Sequence, residues 1–519
     1  MAERNYRVLW VDDEIDLLRS HIIFLSERGY KVTPASNGED AVALLRGEVF
    51  DMVLLDEMMT GKDGLSTLEE IREVNPYIPI VMVTKIEAEE LMEEAFSRQV
   101  DDFLTKPVNP SQVLSACKRL LEGRQIREDR LGKEYVEEAR RTEVLLSSPM
   151  SWRDWIDLHA RLSDWDLEVA GSRDAGLRQM HRDQRKSCNM AFGKYVEAHY
   201  PEWLREEDPP PLSVDVVSEF LVPHLLSGGP TFFVVVDCLR LDHWLALEPL
   251  VGEYFSVDRR DYYSILPTAT PYSRNAIFSG LLPAELARRY PGLWRKGEDD
   301  EHSRNRHEKA LLEAQLKAMG VKLRRGLRYF KVTDIRSGEE VLRRLGSLRH
   351  FPLVVVVVNF LDILAHGRME SGILREITPD EDAFRSLVVS WFRHSTLFAL
   401  LRNLSRMGVT VVLTTDHGCI LATRSALVHG DRRTSTSLRY KYGNSLNADP
   451  RQTVMVRDPE TYGLPRITPA TNFLLAKEDY YFVYPTQFHE YQRFYRDSFQ
   501  HGGISLEEMI LPVVALKPK

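Results

Sequence analysis

Three strongly apolar runs after residue 214 each deliver an aspartate. "FFVVVD" ends at Asp237, "LVVVVVNFLD" at Asp362, and "TVVLTTDHG" brings Asp416 with His417 directly after it. Such runs read as parallel strands buried on both faces, and ligands bind at the carboxyl ends of strands of this kind. In "NFLDILAHGR" His366 follows Asp362 by four residues, so both side chains share one face if the chain turns helical after the strand. His501 stands before two glycines in "FQHGGIS", where the backbone can approach a site closely. Carboxylate and imidazole donors together suit zinc or manganese better than magnesium. Asp237, Asp362, His366, Asp416, His417 and His501 would supply two neighbouring metal positions with three ligands each. A hydroxyl would complete the set: "PTATP" offers Thr268 or Thr270, followed by Arg274 and Asn275 as candidate substrate-binding residues. A hydroxyl held on a divalent cation loses its proton near neutral pH and becomes a nucleophile.

A second constellation lies near the amino terminus. Asp12 and Asp13 close the run "YRVLWVDD", Asp56 closes "FDMVLLD", Thr84 closes "IPIVMVT", and Lys106 precedes Pro107 after "DDFLT". Carboxylates gathered at one sheet edge repel, and a hard cation such as Mg2+ is their natural neutraliser. Asp56 can then attack phosphorus, with Lys106 holding the charge of the acyl phosphate and Thr84 donating a hydrogen bond to it.

These residues need scaffolds, and a chain of 519 residues is too long for one core. The first ~120 residues alternate short apolar runs with amphipathic stretches such as "EIDLLRSHIIFLSERG", which predicts a doubly wound parallel sheet. Residues 124–205 read as helical throughout, and "REEDPPPLS" breaks that pattern, because consecutive prolines favour an extended linker. The expected domains are 1–123, 124–210 and a large α/β domain over 211–519.

Charge and composition exclude several classes. The net charge is −9, and residues 1–123 hold 13 Lys and Arg against 24 Asp and Glu, which does not suit a protein that coats DNA through a basic face. Four scattered cysteines, Cys117, Cys188, Cys238 and Cys419, form no C-x-x-C pair, so neither a disulfide framework nor a thiolate zinc finger is indicated. No apolar stretch is long enough to span a bilayer and no signal-peptide pattern opens the chain, so a cytoplasmic address is expected. One basic, tyrosine-bearing stretch, "DRRTSTSLRYKYGNSLN", reads as a loop that could hold phosphates with Arg432, Arg433, Arg439 and Lys441 and stack bases on Tyr440 and Tyr442.

Residues 4–122 resemble a bacterial response-regulator receiver. The resemblance implies that Asp12 and Asp13 hold Mg2+ with the backbone carbonyl of Met58, that a sensor histidine kinase phosphorylates Asp56, and that Thr84 and Phe103 relay the change. Lys85 stands where receivers usually carry a small residue. The later order of aspartate, P-T-x-T, D-x-x-x-H, D-H-G and H-G-G resembles the alkaline phosphatase superfamily, and "DCLRLDHW" is similar to its PglZ branch. By that resemblance Thr270 is the nucleophile; one zinc ion takes Asp237, Thr270, Asp416 and His417, and the other Asp362, His366 and His501.

Receiver, helical middle and PglZ-type domain together resemble the PorX-type response regulators linked to type IX secretion. The resemblance implies zinc-dependent hydrolysis of cyclic or linear oligonucleotides, an extracytoplasmic-function sigma factor as partner, and dimerisation on phosphorylation. A phosphorylation-gated scaffold with structural zinc is the competing reading. A mutase or sulfatase ranks lowest, since the sequence contains no phosphosugar cap and no C-x-P-x-R signature.

Overall fold

The computed structural model describes residues 6–85, 100–172, 174–205, 209–294, 305–430, 437–486 and 488–519. Arg432 and Arg433 lie outside them. The chain divides into two compact units, Met1–Glu138 and Ala139–Lys519.

In the first unit the five expected strands form, as β1 (Tyr6–Val11), β2 (Tyr30–Ala35), β3 (Met52–Asp56), β4 (Ile80–Thr84) and β5 (Asp102–Thr105). They make one parallel sheet in the order β2-β1-β3-β4-β5. The central strand β3 is buried at every residue. Apolar side chains from its alternate faces enter two separate cores, Val53 and Leu55 on one side and Met52 and Leu54 on the other, as helices on both faces of a sheet require. Helices begin where polar caps allow: Asn37 caps Gly38–Gly47, Asp63 caps Gly64–Val74, and Asn109 caps Pro110–Cys117 with Gln112 reciprocating.

The second unit is built on a mixed six-stranded sheet. Its strands are β6 (Thr231–Val236), β7 (Phe255–Tyr263), β8 (Leu327–Val332), β9 (Leu353–Val358), β10 (Thr410–Thr414) and the C-terminal strand Ile510–Pro518. From one edge the order is β7, the C-terminal strand, β10, β6, β9, β8. β10, β6, β9 and β8 run parallel, and the C-terminal strand enters antiparallel to both β10 and β7. β6 and β9 are buried over their whole length, which is why their sequences carry no alternation. β6 lies between β10 and β9, so the three runs that deliver aspartates end side by side.

The helical region does not stand apart from this sheet. Trp152–Ala170, capped by Ser151 and Asp154, and Ala175–Trp203, capped by Asp174, belong to the second unit. Trp155, Phe192, Tyr200 and Trp203 share one core with Tyr263, Leu266 and Ile277. The expected boundary near residue 210 is therefore a change of secondary structure and not a break between bodies. The aromatic faces of these helices pack on each other, Trp155 against Phe192, and on the sheet domain, and hydrophobic burial joins them to it.

Candidate metal centre and receiver site

β6 stops at Val236 and Asp237 is the next residue; β10 stops at Thr414, with Asp416 and His417 in the turn that follows. After β9 the chain goes straight into the helix Phe360–Glu370, so Asp362 sits in its first turn and not at the strand end, with His366 one turn on. His501 follows the short strand Ser498–Gln500. Topology brings all six together in two sets, Asp237 with Asp416 and His417, and Asp362 with His366 and His501; within each set the ligand atoms lie within 4.8 Å of one another. The sets adjoin: the rings of His417 and His501 stack with centroids 4.1 Å apart.

Donor atoms of the second set crowd one another. His366 Nε2 and His501 Nε2 are 3.1 Å apart, and Asp362 Oδ1 is 3.3 Å from the first and 3.5 Å from the second. Asp237 Oδ1, Asp362 Oδ1, Asp416 Oδ2 and His501 Nδ1 are buried without a hydrogen-bond partner. Buried polar atoms left this way are costly unless a ligand satisfies them, and two carboxylate–imidazole sets of three fit two zinc-class cations. His417 Nδ1 lies 3.0 Å from the carbonyl oxygen of Gly418. That contact fixes the proton on Nδ1 and leaves the Nε2 lone pair for the site.

Electrostatics agree with a site built for cations. Burial pushes the Asp237 and Asp416 carboxyls up, and a neighbouring carboxylate adds to it in each case, Asp362 for Asp237 and Asp237 for Asp416. Burial likewise pushes His417 down, so its ring is neutral and able to ligate. Asp362 is also desolvated, but the hydrogen bond from His366 and the charge of His501 outweigh that and hold it low.

The two threonines separate by partner. Thr268 Oγ1 donates to the carbonyl of Gly503 at 2.8 Å and accepts from the Gly502 N–H at 3.1 Å, so it ties down the loop after His501. Thr270 opens the helix Thr270–Ser279 and its Oγ1 is 2.9 Å from His417 Nε2. A helix amino terminus favours an anion there.

The remaining expected site residues fall elsewhere. Arg274 was expected to bind substrate; its guanidinium is 1% exposed and is instead held at 2.6 Å from Asp237, 2.7 Å from Glu308 and 3.7 Å from Asp416. Asn275 is buried and donates to Asn305 and to the carbonyl of Pro271. The tyrosine loop is partly a strand, Tyr440–Asn444, paired antiparallel with Thr471–Ala476. Strand pairing turns its side chains inward. Arg439 is corrected from a phosphate ligand to a structural cation, 0% exposed and paired with Glu508 at 2.5 Å. Tyr440 packs edge-on to Tyr272, Tyr442 lies against Phe473, and Lys441 is buried over the Tyr484 ring, its ammonium pushed down to about 8 by desolvation. Sequence reasoning missed Glu308, which anchors Arg274 and accepts from Tyr329, and Asn359, which donates to Asp237 at 2.7 Å. Asn359 stood three residues before a singled-out aspartate and could have been found; Glu308 lies in an ordinary amphipathic stretch and carried no signal.

In the receiver, Asp12, Asp13 and Asp56 again place ligand atoms within 4.8 Å of one another. Lys106 Nζ is 2.8 Å from both Asp12 Oδ2 and Asp56 Oδ2. Burial would lower this lysine, but its two carboxylate partners prevail and hold it up. Burial raises Asp56. Asp13 lies nearer the surface, held low by the backbone N–H of Thr60 at 2.9 Å. The Met58 side chain is exposed, and its backbone N–H reaches Asp56. Thr84 is buried at the end of β4, Phe103 is half-buried on β5 against the core, and Lys85 is exposed.

A parallel-sheet receiver joined to an α/β domain with two carboxylate–imidazole sets is the build of a response regulator with a phosphatase-like effector. The chain belongs to the PglZ family: the model described as "BREX system PglZ alkaline phosphatase-like domain" matches residues 216–516. It is preceded by a response regulator receiver domain over residues 8–118 and a PorX response regulator linker domain over 125–204, the domain order of a PorX-type response regulator. Among curated proteins, the alginate biosynthesis transcriptional regulatory protein AlgB of Pseudomonas aeruginosa is 36% identical over 125 residues, 24% of this chain and 28% of that protein. The transcriptional regulatory protein ZraR of Salmonella typhimurium is 36% identical over 121 residues, 23% of this chain and 27% of that protein. The chain thus spans only about a quarter to a third of these relatives. Among solved structures, the Vibrio cholerae chemotaxis protein CheY4 is 29% identical with a TM-score of 0.22, covering 22% of this chain and 98% of that one. Among the described residues no helix is long and apolar enough to cross a membrane.

Proposed function

We propose that the chain is a two-component response regulator whose effector is a zinc-dependent phosphodiesterase, with Thr270 as nucleophile and oligonucleotides, cyclic or linear, as the substrate class. The observation that carries this reading is the Thr270 hydroxyl, 2.9 Å from His417 Nε2, beside two adjoining donor sets with unsatisfied buried atoms. Asp237, Asp416, His417 and Thr270 would hold one zinc ion and Asp362, His366 and His501 the other. Two such ions supply charge stabilisation to the entering and leaving oxygens of a phosphoryl transfer.

The chain's own groups do the rest. Thr270 Oγ loses its proton and attacks phosphorus; the Oγ–P bond forms as the bond from phosphorus to the leaving oxygen breaks, and that oxygen departs as an alcohol after taking up a proton. Water then attacks the phosphothreonine on phosphorus, returning Thr270 as its hydroxyl. Arg274, held by Glu308, offsets the negative charge of Asp237 and Asp416 throughout. The amino end of the helix Thr270–Ser279 faces the anionic phosphoryl group.

Control comes from the receiver in this reading. A sensor histidine kinase phosphorylates Asp56 with Mg2+ held by Asp12, Asp13 and Asp56 and the Met58 carbonyl, and Lys106, Thr84 and Phe103 respond to the acyl phosphate. Dimerisation follows. The link to type IX secretion and to a sigma factor rests on the PorX-type domain order alone. The direct test is hydrolysis of bis-p-nitrophenyl phosphate by zinc-loaded protein and by Thr270→Val. Loss of turnover with zinc still bound supports the nucleophile; unchanged turnover rejects it.

A further inference from the structure

The loops that end in His417 and His501 are separate in sequence, and one short turn touches both. In the helix Leu506–Met509 the carbonyl of Glu508 accepts from the N–H of Gly418, the residue after His417, at 3.3 Å. The contact is close enough that a Cβ at Gly418 would lie 1.9 Å from the Glu507 carbonyl oxygen, so only glycine fits. The Glu508 carboxylate accepts from the N–H of Gly503, two residues past His501, at 2.9 Å. The turn is therefore a spacer that sets how far apart the two histidine loops stand.

The turn is itself gripped from the helix Ala175–Trp203. Arg185 Nε donates to Glu507 Oε1 at 3.1 Å and its Nη2 pairs with the same carboxylate. Asn189 Nδ2 donates to Glu507 Oε2 at 3.0 Å while its Oδ1 accepts from the Leu506 N–H at 2.8 Å. Arg185 and Asn189 are 6% and 4% exposed and Glu507 is 3% exposed. A buried carboxylate with Oε1 bonded by Arg185 and Oε2 by Asn189 is held in one geometry, and such a pair specifies position more than it adds stability.

We propose that Glu507 is a positioning residue for the metal centre. Held by Arg185 and Asn189, it fixes the turn that keeps His417 and His501 at metal-binding separation, and the helical region is part of the frame of the site and not a passive spacer. The proposal rests on the two-metal reading above. Partners one shell beyond metal ligands commonly change affinity by about 10–100-fold when removed.

The test uses the full-length chain and compares Glu507→Gln with Glu197→Gln, which removes an ion pair between the same helix and the Lys477 ammonium (3.1 Å) while leaving in place the Lys477 backbone that bridges to Ile504. Zinc affinity is measured by competition with a chromogenic chelator, and kcat and KM on bis-p-nitrophenyl phosphate. Glu507→Gln is expected to weaken zinc binding about tenfold or more and to lower kcat with KM little changed, Glu197→Gln to change neither, and Arg185→Lys to fall between. Zinc binding by Glu507→Gln within about twofold of wild type, or equal weakening by Glu197→Gln, overturns the proposal. If Glu507→Gln gives no folded protein by circular dichroism, Asn189→Ala, which deletes only the hydrogen bonds to Glu507 and Leu506, must weaken zinc binding by about threefold; no change there overturns it equally. A wild-type chain that binds no zinc at all instead rejects the two-metal reading.

Discussion

The receiver and the effector both collect carboxylates at the ends of parallel strands, and they balance that charge in opposite ways. In the receiver one ammonium, Lys106, lies 2.8 Å from both Asp12 and Asp56. In the effector Arg274 reaches Asp237 at 2.6 Å, yet Asp237 Oδ1, Asp416 Oδ2 and Asp362 Oδ1 are still buried without a partner. A cluster that closes its charge with a side chain can let a metal ion and a phosphoryl group come and go. A buried cluster with leftover lone pairs calls for resident cations, because unpaired polar atoms in a dry interior are costly. On the function proposed above, the difference separates a switch from a catalytic centre.

The sharpest way to break this contrast is at the nucleophile. Thr270→Val is expected to lower zinc-loaded turnover of bis-p-nitrophenyl phosphate by at least about 10³-fold, as loss of a covalent nucleophile does, with zinc content by atomic absorption unchanged. Next comes metal removal. Chelation with EDTA should abolish turnover and lower the melting temperature of the effector transition; a cation present at about 100 times its dissociation constant stabilises by about 2.7 kcal/mol. If the effector cluster were balanced as the receiver's is, its melting would not respond.

The receiver supplies the converse experiment. Lys106→Met leaves Asp12 and Asp56 close together without their cation, and should destabilise the receiver by about 1–3 kcal/mol in calorimetry. Millimolar Mg2+ should recover part of that loss, and no recovery would mean that the cluster does not bind the ion. Asp56→Asn should give protein that acetyl phosphate no longer labels and whose sedimentation the reagent no longer changes.

The smallest expected effect is with acid. Burial alone would raise Glu507, but the Arg185 charge prevails and holds it down to about 2. A carboxylate depressed in the folded state contributes stability that is present above its unfolded value near 4.5 and lost as pH falls toward 2. Asp166, also paired with Arg185 and held at about 2, acts in the same direction. The melting-temperature difference between metal-free wild type and Glu507→Gln should therefore stay constant from neutrality to about pH 5 and shrink below it. The comparison cancels the buried histidines His159, His243 and His417, whose lowered values cost stability from about pH 6.5 downward in both proteins. A difference that already shrinks above about pH 6 would contradict the pairing.

Legibility in the sequence followed the local character of each signal. The receiver strands end within a residue or two of their apolar runs, because each run is bounded by turn residues, and β3 and β4 are buried at every residue. Asp362 and His366 could be placed on one helical face from their spacing. The loop bearing Arg439, Lys441 and Tyr440 misled because charge and aromatic content describe a solvated surface only when the segment is exposed; here strand pairing with Thr471–Ala476 turns those side chains inward. Arg274 misled for a related reason. A cation near a phosphate site reads as a substrate ligand, whereas its nearest partners, Asp237 and Glu308, come from other parts of the chain.

By itself the sequence determined the kinds of element, the order of receiver, helices and α/β domain, and the chemical identity of the donors, since periodicity, breakers and residue type are local properties. Only the tertiary structure decided that Thr268 ties a loop while Thr270 meets His417, that Arg274 and Arg439 are buried in ion pairs, and that the helical region joins the effector core through Arg185, Asn189 and Glu507. Those are contacts between residues tens to hundreds of positions apart. They follow from strand order and from the burial of facing surfaces, which no short stretch of chain encodes.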